Sequence, residues 1–422
     1  MKLAKMSLAA ALLLGANVYA IDNVKVNGTA SLFYGSDAVN TKGVSNADMF
    51  HKDASYADAG LTLGATADLT EGVSAGATFQ GVSTLGLENN LVSGVWSGAH
   101  TATANGSSYG AQVEDASFFS EAWIAGTFGK TTAKVGRQSL DTPLAFTETW
   151  NITTNTFEAA VVINEDIPDT QVIGAWIGTS NGTGDDVNSS LNIGNVTSVN
   201  GKFNTFATDG AYAVGVINNS FAPLTAKAWY YDVTRVAKAY WLQADLDMDG
   251  VLAGAQYVNI DSDATGAKND SAYGVMLGYS MKDVGTLKVA YSSVDDEGTL
   301  GVANLATRGQ AAGAASQLYT EMWWWYGTVS QTGADTLAVS AETTLADIDF
   351  FLGYYTCDIA PKGITAGTNN SVDEIAFTAS KSFGPLDSTV ALIHDSFGYK
   401  GGTSIGDNED LTSFQVYLTY NF

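Results

Sequence analysis

The sequence predicts an all-β protein, a transmembrane antiparallel up-and-down β-barrel of about eighteen strands. Three observations carry this reading. Segments of roughly ten residues alternate apolar with polar or small side chains. The connections between them alternate between short and long. The last segment, Phe414 to Phe422, keeps the alternation to the final aromatic residue.

The strands read as 24–36, 56–69, 72–83, 117–128, 131–138, 156–164, 170–180, 210–219, 223–231, 237–246, 250–261, 271–281, 286–294, 335–345, 347–357, 372–382, 386–396 and 412–422. In the second, Leu61, Leu63, Ala65, Ala67 and Leu69 alternate with Thr62, Gly64, Thr66 and Asp68. In the last, Phe414, Val416, Leu418, Tyr420 and Phe422 alternate with Gln415, Tyr417, Thr419 and Asn421. A soluble sandwich shows the same period, so the connections decide. Eight are tight: Thr70-Glu71, Gly129-Lys130, Asp166 to Asp169, Ser220 to Ala222, Asp247 to Asp249, Lys282 to Gly285, Ala346, and Phe383 to Pro385. Gly, Asp and Pro supply the backbone angles such turns need. The other set is mostly long, as in 37–55, 84–116, 139–155, 181–209 and 295–334. Short periplasmic turns opposite long outer loops are the pattern of a membrane barrel. Closure satisfies every backbone polar group, which an open sheet cannot do in hydrocarbon.

Composition agrees. Glycine is abundant at 45 residues and proline scarce at 5, which suits closely packed strands and not helix bundles. Residues 1–20 read as a secretory signal: Lys2 and Lys5, then the apolar run Met6 to Ala16, then Val18 and Ala20 at the cleavage positions. The barrel domain is then 21–422, and no apolar run within it reaches the ~18 residues of a membrane helix. The formal charge is −25, and loss of Lys2 and Lys5 takes the mature chain to −27. Such a chain does not bind nucleic acid and draws cations toward its surface. Cys357 is the single cysteine, so no internal disulfide forms.

Enzyme chemistry finds no support. The three histidines, His51, His100 and His394, stand in no hydrolase or metalloprotease motif. His394 and Ser396 share a face with Val390 and Leu392, the one arrangement a wall-mounted hydrolase could use. Asp261 to Gly266 begins like a calcium loop, but its twelfth position is Ala272 where a glutamate is required. Asp185-Asp186 and Asp295 to Glu297 could hold divalent ions at the outer surface, but read better as solvated acidic loops. No metal or cofactor is expected.

Eighteen strands leave a water-filled lumen. What narrows and charges it sets its selectivity. The loop 139–155 is the first candidate constriction, with Asp141 and Glu148 following Arg137. The loop 295–334 is the second, with Arg308, Glu321 and Trp323-Trp324-Trp325; the alternative for either loop is packing over the barrel mouth as a lid or subunit contact. Strand phase points Lys134, Lys227 and Lys288 into the lumen, because their neighbours Val135, Ala228 and Val289 occupy the apolar face. A basic wall facing an acidic loop would give a transverse field; three independently solvated lysines would not. The expected function is passive diffusion of ions and small hydrophilic solutes, weakly cation-selective. The rival is a structural or adhesive barrel that does not conduct.

Ser413 to Phe422 resembles the C-terminal signal of outer-membrane proteins, which implies that the barrel-assembly machinery reads Tyr420 and Phe422. Met1 to Leu8 resembles the leaders of the Campylobacter-type major outer membrane proteins. Gly136-Arg137-Gln138, Thr142-Pro143-Leu144 and Thr156-Phe157-Glu158 are similar to the third-loop region of the OprD-like porins, and Trp241 to Asp245 to their middle strands. The likeness spans most of the mature chain. It implies an eighteen-stranded porin of the Gram-negative outer membrane, a homotrimer among lipid and lipopolysaccharide. Those porins carry a run of pore arginines, whereas this chain has only Arg137, Arg235 and Arg308.

Overall fold

The computed structural model describes residues 21–40, 48–103, 112–182, 196–307, 314–359, 369–400 and 409–422. The leader, Asp185-Asp186 and Arg308 lie outside them.

Eighteen long strands form the wall: β1 Asp22–Asn40, β2 Ser55–Thr70, β3 Val73–Ser83, β4 Ala116–Phe128, β5 Thr131–Gln138, β6 Phe157–Asn164, β7 Thr170–Ser180, β8 Ala211–Phe221, β9 Leu224–Val233, β10 Ala237–Met248, β11 Val251–Ser262, β12 Asp270–Met281, β13 Gly285–Val294, β14 Ala334–Leu345, β15 Ile348–Ile359, β16 Asn369–Phe383, β17 Leu386–Lys400 and β18 Glu409–Asn421. Each pairs antiparallel with the next. β18 returns to β1 in register from Thr29↔Asn421 to Asn40↔Asp410, so the sheet has no edge.

The turns at one end are tight because their residues accept left-handed backbone. Gly72, Gly129, Asp169, Asp249, Gly250, Asp283 and Gly384 all have positive φ. Leu345 pairs with Ile348, so the turn expected at Ala346 alone is a two-residue hairpin, Ala346-Asp347, with φ of 54° and 58°.

Alternation sets the two faces. On β12, Tyr273, Val275, Leu277 and Tyr279 are exposed outside, while Ala272 is buried inside. An aromatic row crosses the outer wall near the loop end through Trp176, Tyr212, Tyr230, Tyr240, Tyr257, Tyr273, Tyr291 and Tyr354, all exposed or nearly so. A second row, Phe128, Phe221, Tyr279, Phe383, Tyr420 and Phe422, lies at the turn end. Tyr212 and Phe221 are nine residues apart on β8. At ~3.4 Å per residue and ~40° tilt the two rows stand ~23 Å apart, close to the ~25 Å apolar band of such barrels. No helix among the described residues is long and apolar enough to cross a membrane.

Candidate functional site: a lumen narrowed by three loops

Three loops fold inward and meet on the inner wall. The first is described over 84–103 and 112–115. Its Gly94-Val95 pairs in parallel with Tyr56-Ala57 of β2, and the His100 ring meets the Asp58 carboxylate at 2.6 Å, with both side chains fully buried. Trp96 is thereby pressed on Phe33 of β1 (ring centroids 4.0 Å, 17° between planes). The second loop, 139–156, makes a small hairpin, Asp141–Thr142 with Ala145–Phe146, whose Leu144 is fully buried. Its Asn151 side chain donates to the Trp96 carbonyl at 3.2 Å.

The described parts of the third loop, 295–307 and 314–333, reach across the lumen. Its root is fixed by Asp270 of β12, whose carboxylate accepts the backbone N–H groups of Thr299, Leu300 and Gly301 at 3.0, 2.8 and 2.7 Å. Further along, the Tyr319 hydroxyl donates to Asp245 of β10, and its backbone N–H donates to Gln256 of β11 at 3.2 Å. Gly254 makes room for that ring, since a Cβ there would lie 2.5 Å from Tyr319 Cζ. On the far side Trp323, Trp324 and Trp325 donate their backbone N–H groups to Glu374 of β16 at 2.7, 2.9 and 2.8 Å. Trp324 then stacks on Trp96 (5.3 Å, 4°), which joins the third loop to the first. Each aromatic contact of this kind contributes ~0.5–1.5 kcal/mol beyond burial.

Both candidate constriction loops therefore enter the lumen, and Glu148 ties them together. It is 4% exposed. Its carboxylate accepts from Asn304 at 2.9 Å, from the Trp150 indole at 2.9 Å and from Thr307. Burial pushes its carboxyl above the usual range. The expectation that Glu148 charges the passage is corrected: its oxygens are used up between loops. Asp141 stays exposed and accepts from the Gln317 side chain at 3.2 Å.

Lys134, Lys227 and Lys288 point inward, on β5, β9 and β13, each three residues from the start of its strand at the turn end. Lys134 lies over the Trp123 ring, 4.3 Å from its centroid. Lys288 pairs with Glu342 of the neighbouring strand at 3.2 Å. Between Lys134 and Lys227 the inner wall carries Val161, Ile163, Ile173 and Ile217, an aliphatic stretch where alternation alone predicts polar residues. The three lysines stand four strands apart, within nine consecutive strands of the eighteen.

Arg137 does not line the pore. It registers with Ala122 and Glu158 on the outer face, the face of Ile124, Val135 and Val162. Its guanidinium pairs with Glu158 at 2.8 Å and stacks on Phe203, 4.2 Å from the ring centroid. Near the rim a neutralised arginine costs only ~0–1 kcal/mol against lipid. His394 and Ser396 also face outward, but His394 bonds Thr412 (3.0 Å) and Ser396 bonds Asp410 (2.9 Å), and no bond joins the two. Asp270, Asp245, Glu374 and Tyr319 were not singled out from sequence. Strand phase alone could have pointed the three acids inward.

No family model and no curated protein matches the sequence. Solved structures do. The chain is similar to Pseudomonas aeruginosa OccK8 (OprE), at 14% identity and TM-score 0.67, covering 95% of this chain and 98% of that one. It is similar to Pseudomonas aeruginosa OccK9 (OpdG), at 11% identity and TM-score 0.69, covering 95% and 99%. Acinetobacter baumannii OccAB1 matches at 12% identity and TM-score 0.67, covering 94% and 96%. The fold is that of the OprD-like Occ porins. These matches carry the OprD-like part of the sequence resemblance and not the Campylobacter-type part. Near-complete coverage in both directions means that the Occ barrel and this one have the same extent as well as the same course.

Proposed function

We propose that the chain is an outer-membrane porin, a water-filled channel for passive diffusion of ions and small hydrophilic solutes. The observation that carries this reading is the closed eighteen-stranded wall with inward-folded loops. Eighteen strands enclose more space than side chains fill, and loops that narrow a lumen make sense only where something passes.

Weak cation selectivity is the finer part of the proposal. It rests on the −25 charge and on the inward carboxylates Asp245 and Glu342, with Lys288 already paired to the latter. A homotrimer, export by a cleaved leader, assembly through Tyr420 and Phe422, and contact with lipopolysaccharide complete it. The protein refolded into planar bilayers is expected to open in steps, in threes for a trimer, and to show a cation-selective reversal potential in a salt gradient. A barrel that never conducts would be structural or adhesive instead.

A further inference from the structure

Glu374 and Asp395 form an acid pair that the pore reading does not use. They stand directly opposite in the β16–β17 register, both fully buried on the inner face. Glu374 accepts the three tryptophan N–H groups, so its oxygens are hydrogen-bonded from the loop side. Asp395 is the reverse. Both its oxygens are buried without a hydrogen-bond partner among the described residues, and its polar neighbours are Glu374 and the Trp325 side chain. The other titratable groups facing the pair are acids or a phenol: Asp37 of β1, Glu321 of the third loop and Tyr355 of β15. No described Lys, Arg or His pairs with either carboxyl, and no group of three or more described acids, histidines or cysteines could hold a metal ion.

Two adjacent buried carboxylates cannot both be charged without a counter-ion, so one is protonated. We propose that Glu374 and Asp395 form a proton-binding site, with the proton on Asp395 donated to Glu374, and that this site holds Trp323–Trp325 and with it the third loop inside the lumen. The shared proton orients Glu374 toward the three N–H groups. Its loss places two like charges side by side, and the relief available is for Glu374 to turn away and release the loop. The channel then has one state while the pair holds its proton and another when the pair is fully ionised.

The effect on current rests on the porin reading, so the test has two readouts. The full chain is refolded in detergent and in planar bilayers, and acrylamide quenching of tryptophan fluorescence and single-channel conductance are followed from acidic to alkaline pH. Wild type is expected to show a reversible rise in quenching and a change in conductance over one pH interval. Asp395→Asn keeps the volume and supplies a donor that cannot ionise; it is expected to lose that transition and keep the acidic-pH state. Asp395→Ser, smaller and also non-ionising, serves if Asp395→Asn does not fold. Comparison with wild type separates this site from Glu148 and Glu321. The proposal is overturned if wild type shows no transition in quenching, if both variants retain it, or if calcium or a chelator moves it. A quenching transition in a barrel with no openings at any pH would uphold the proton site and overturn the porin reading.

Discussion

Gly28 and Phe422 exchange both backbone hydrogen bonds, at 2.8 and 3.0 Å, and the Phe422 ring lies where a side chain on Gly28 would stand. A Cβ on Gly28 would be 2.5 Å from Phe422 Cζ. The seam of the barrel thus closes on a missing side chain. Gly28→Val is expected to destabilise the barrel by ~1–3 kcal/mol through overpacking. Adding Phe422→Ala should return part of that loss, because the two side chains compete for one space. Urea unfolding in detergent, followed by the gel shift of the folded barrel, measures both, and strict additivity would contradict the contact.

Glu148→Gln should loosen the joint between the second and third loops. The amide keeps one acceptor oxygen and sets a second donor against Asn304, Thr307 and Trp150. A loss of ~1–3 kcal/mol from the loop contact is expected. It should appear as noisier single-channel current, with the unfolding midpoint of the wall little changed.

Charge reversal separates lumen from exterior. Lys227→Glu is expected to raise the cation-to-anion permeability ratio by roughly two- to five-fold, given the weak fields of a water-filled passage. Arg137→Glu should leave the ratio alone, because that side chain lies outside against Phe203. Reversal potentials in a potassium chloride gradient decide between them.

Tyr319→Ala removes both the ring seated over Gly254 and the hydroxyl that reaches Asp245. Larger single-channel conductance is the expected result. Tyr319→Phe, which keeps the ring, should change it less.

The wall was legible in the sequence because its causes are local. Period-two alternation and turn residues are read within ten positions, and the strand from Thr131 to Gln138 matches its expected bounds. The same alternation puts Arg137 outside, two residues beyond Val135. It was grouped with the pore because it directly precedes the candidate constriction loop; the cost of a charge against lipid fades at the rim, where Glu158 neutralises it. The contacts that the loops make inside were not legible. Asn304 reaches Glu148 across 156 positions of sequence, and Trp324 finds Trp96 across more than two hundred. No local pattern encodes such meetings, since loops of this length can close in many ways at similar entropy.

The third loop has a mechanical consequence. A wall one strand thick is a thin tube, and thin tubes flatten easily into ovals. This loop is a chord fastened to that tube on β12, β10 and β16, through Asp270, Asp245 and Glu374. A chord pinned to well-separated parts of a ring resists squashing along its own direction, as a tie-rod holds an arch. The segment that narrows the passage therefore also keeps it round, and cutting any one of its three fastenings changes the shape of the whole cross-section as well as the position of the loop.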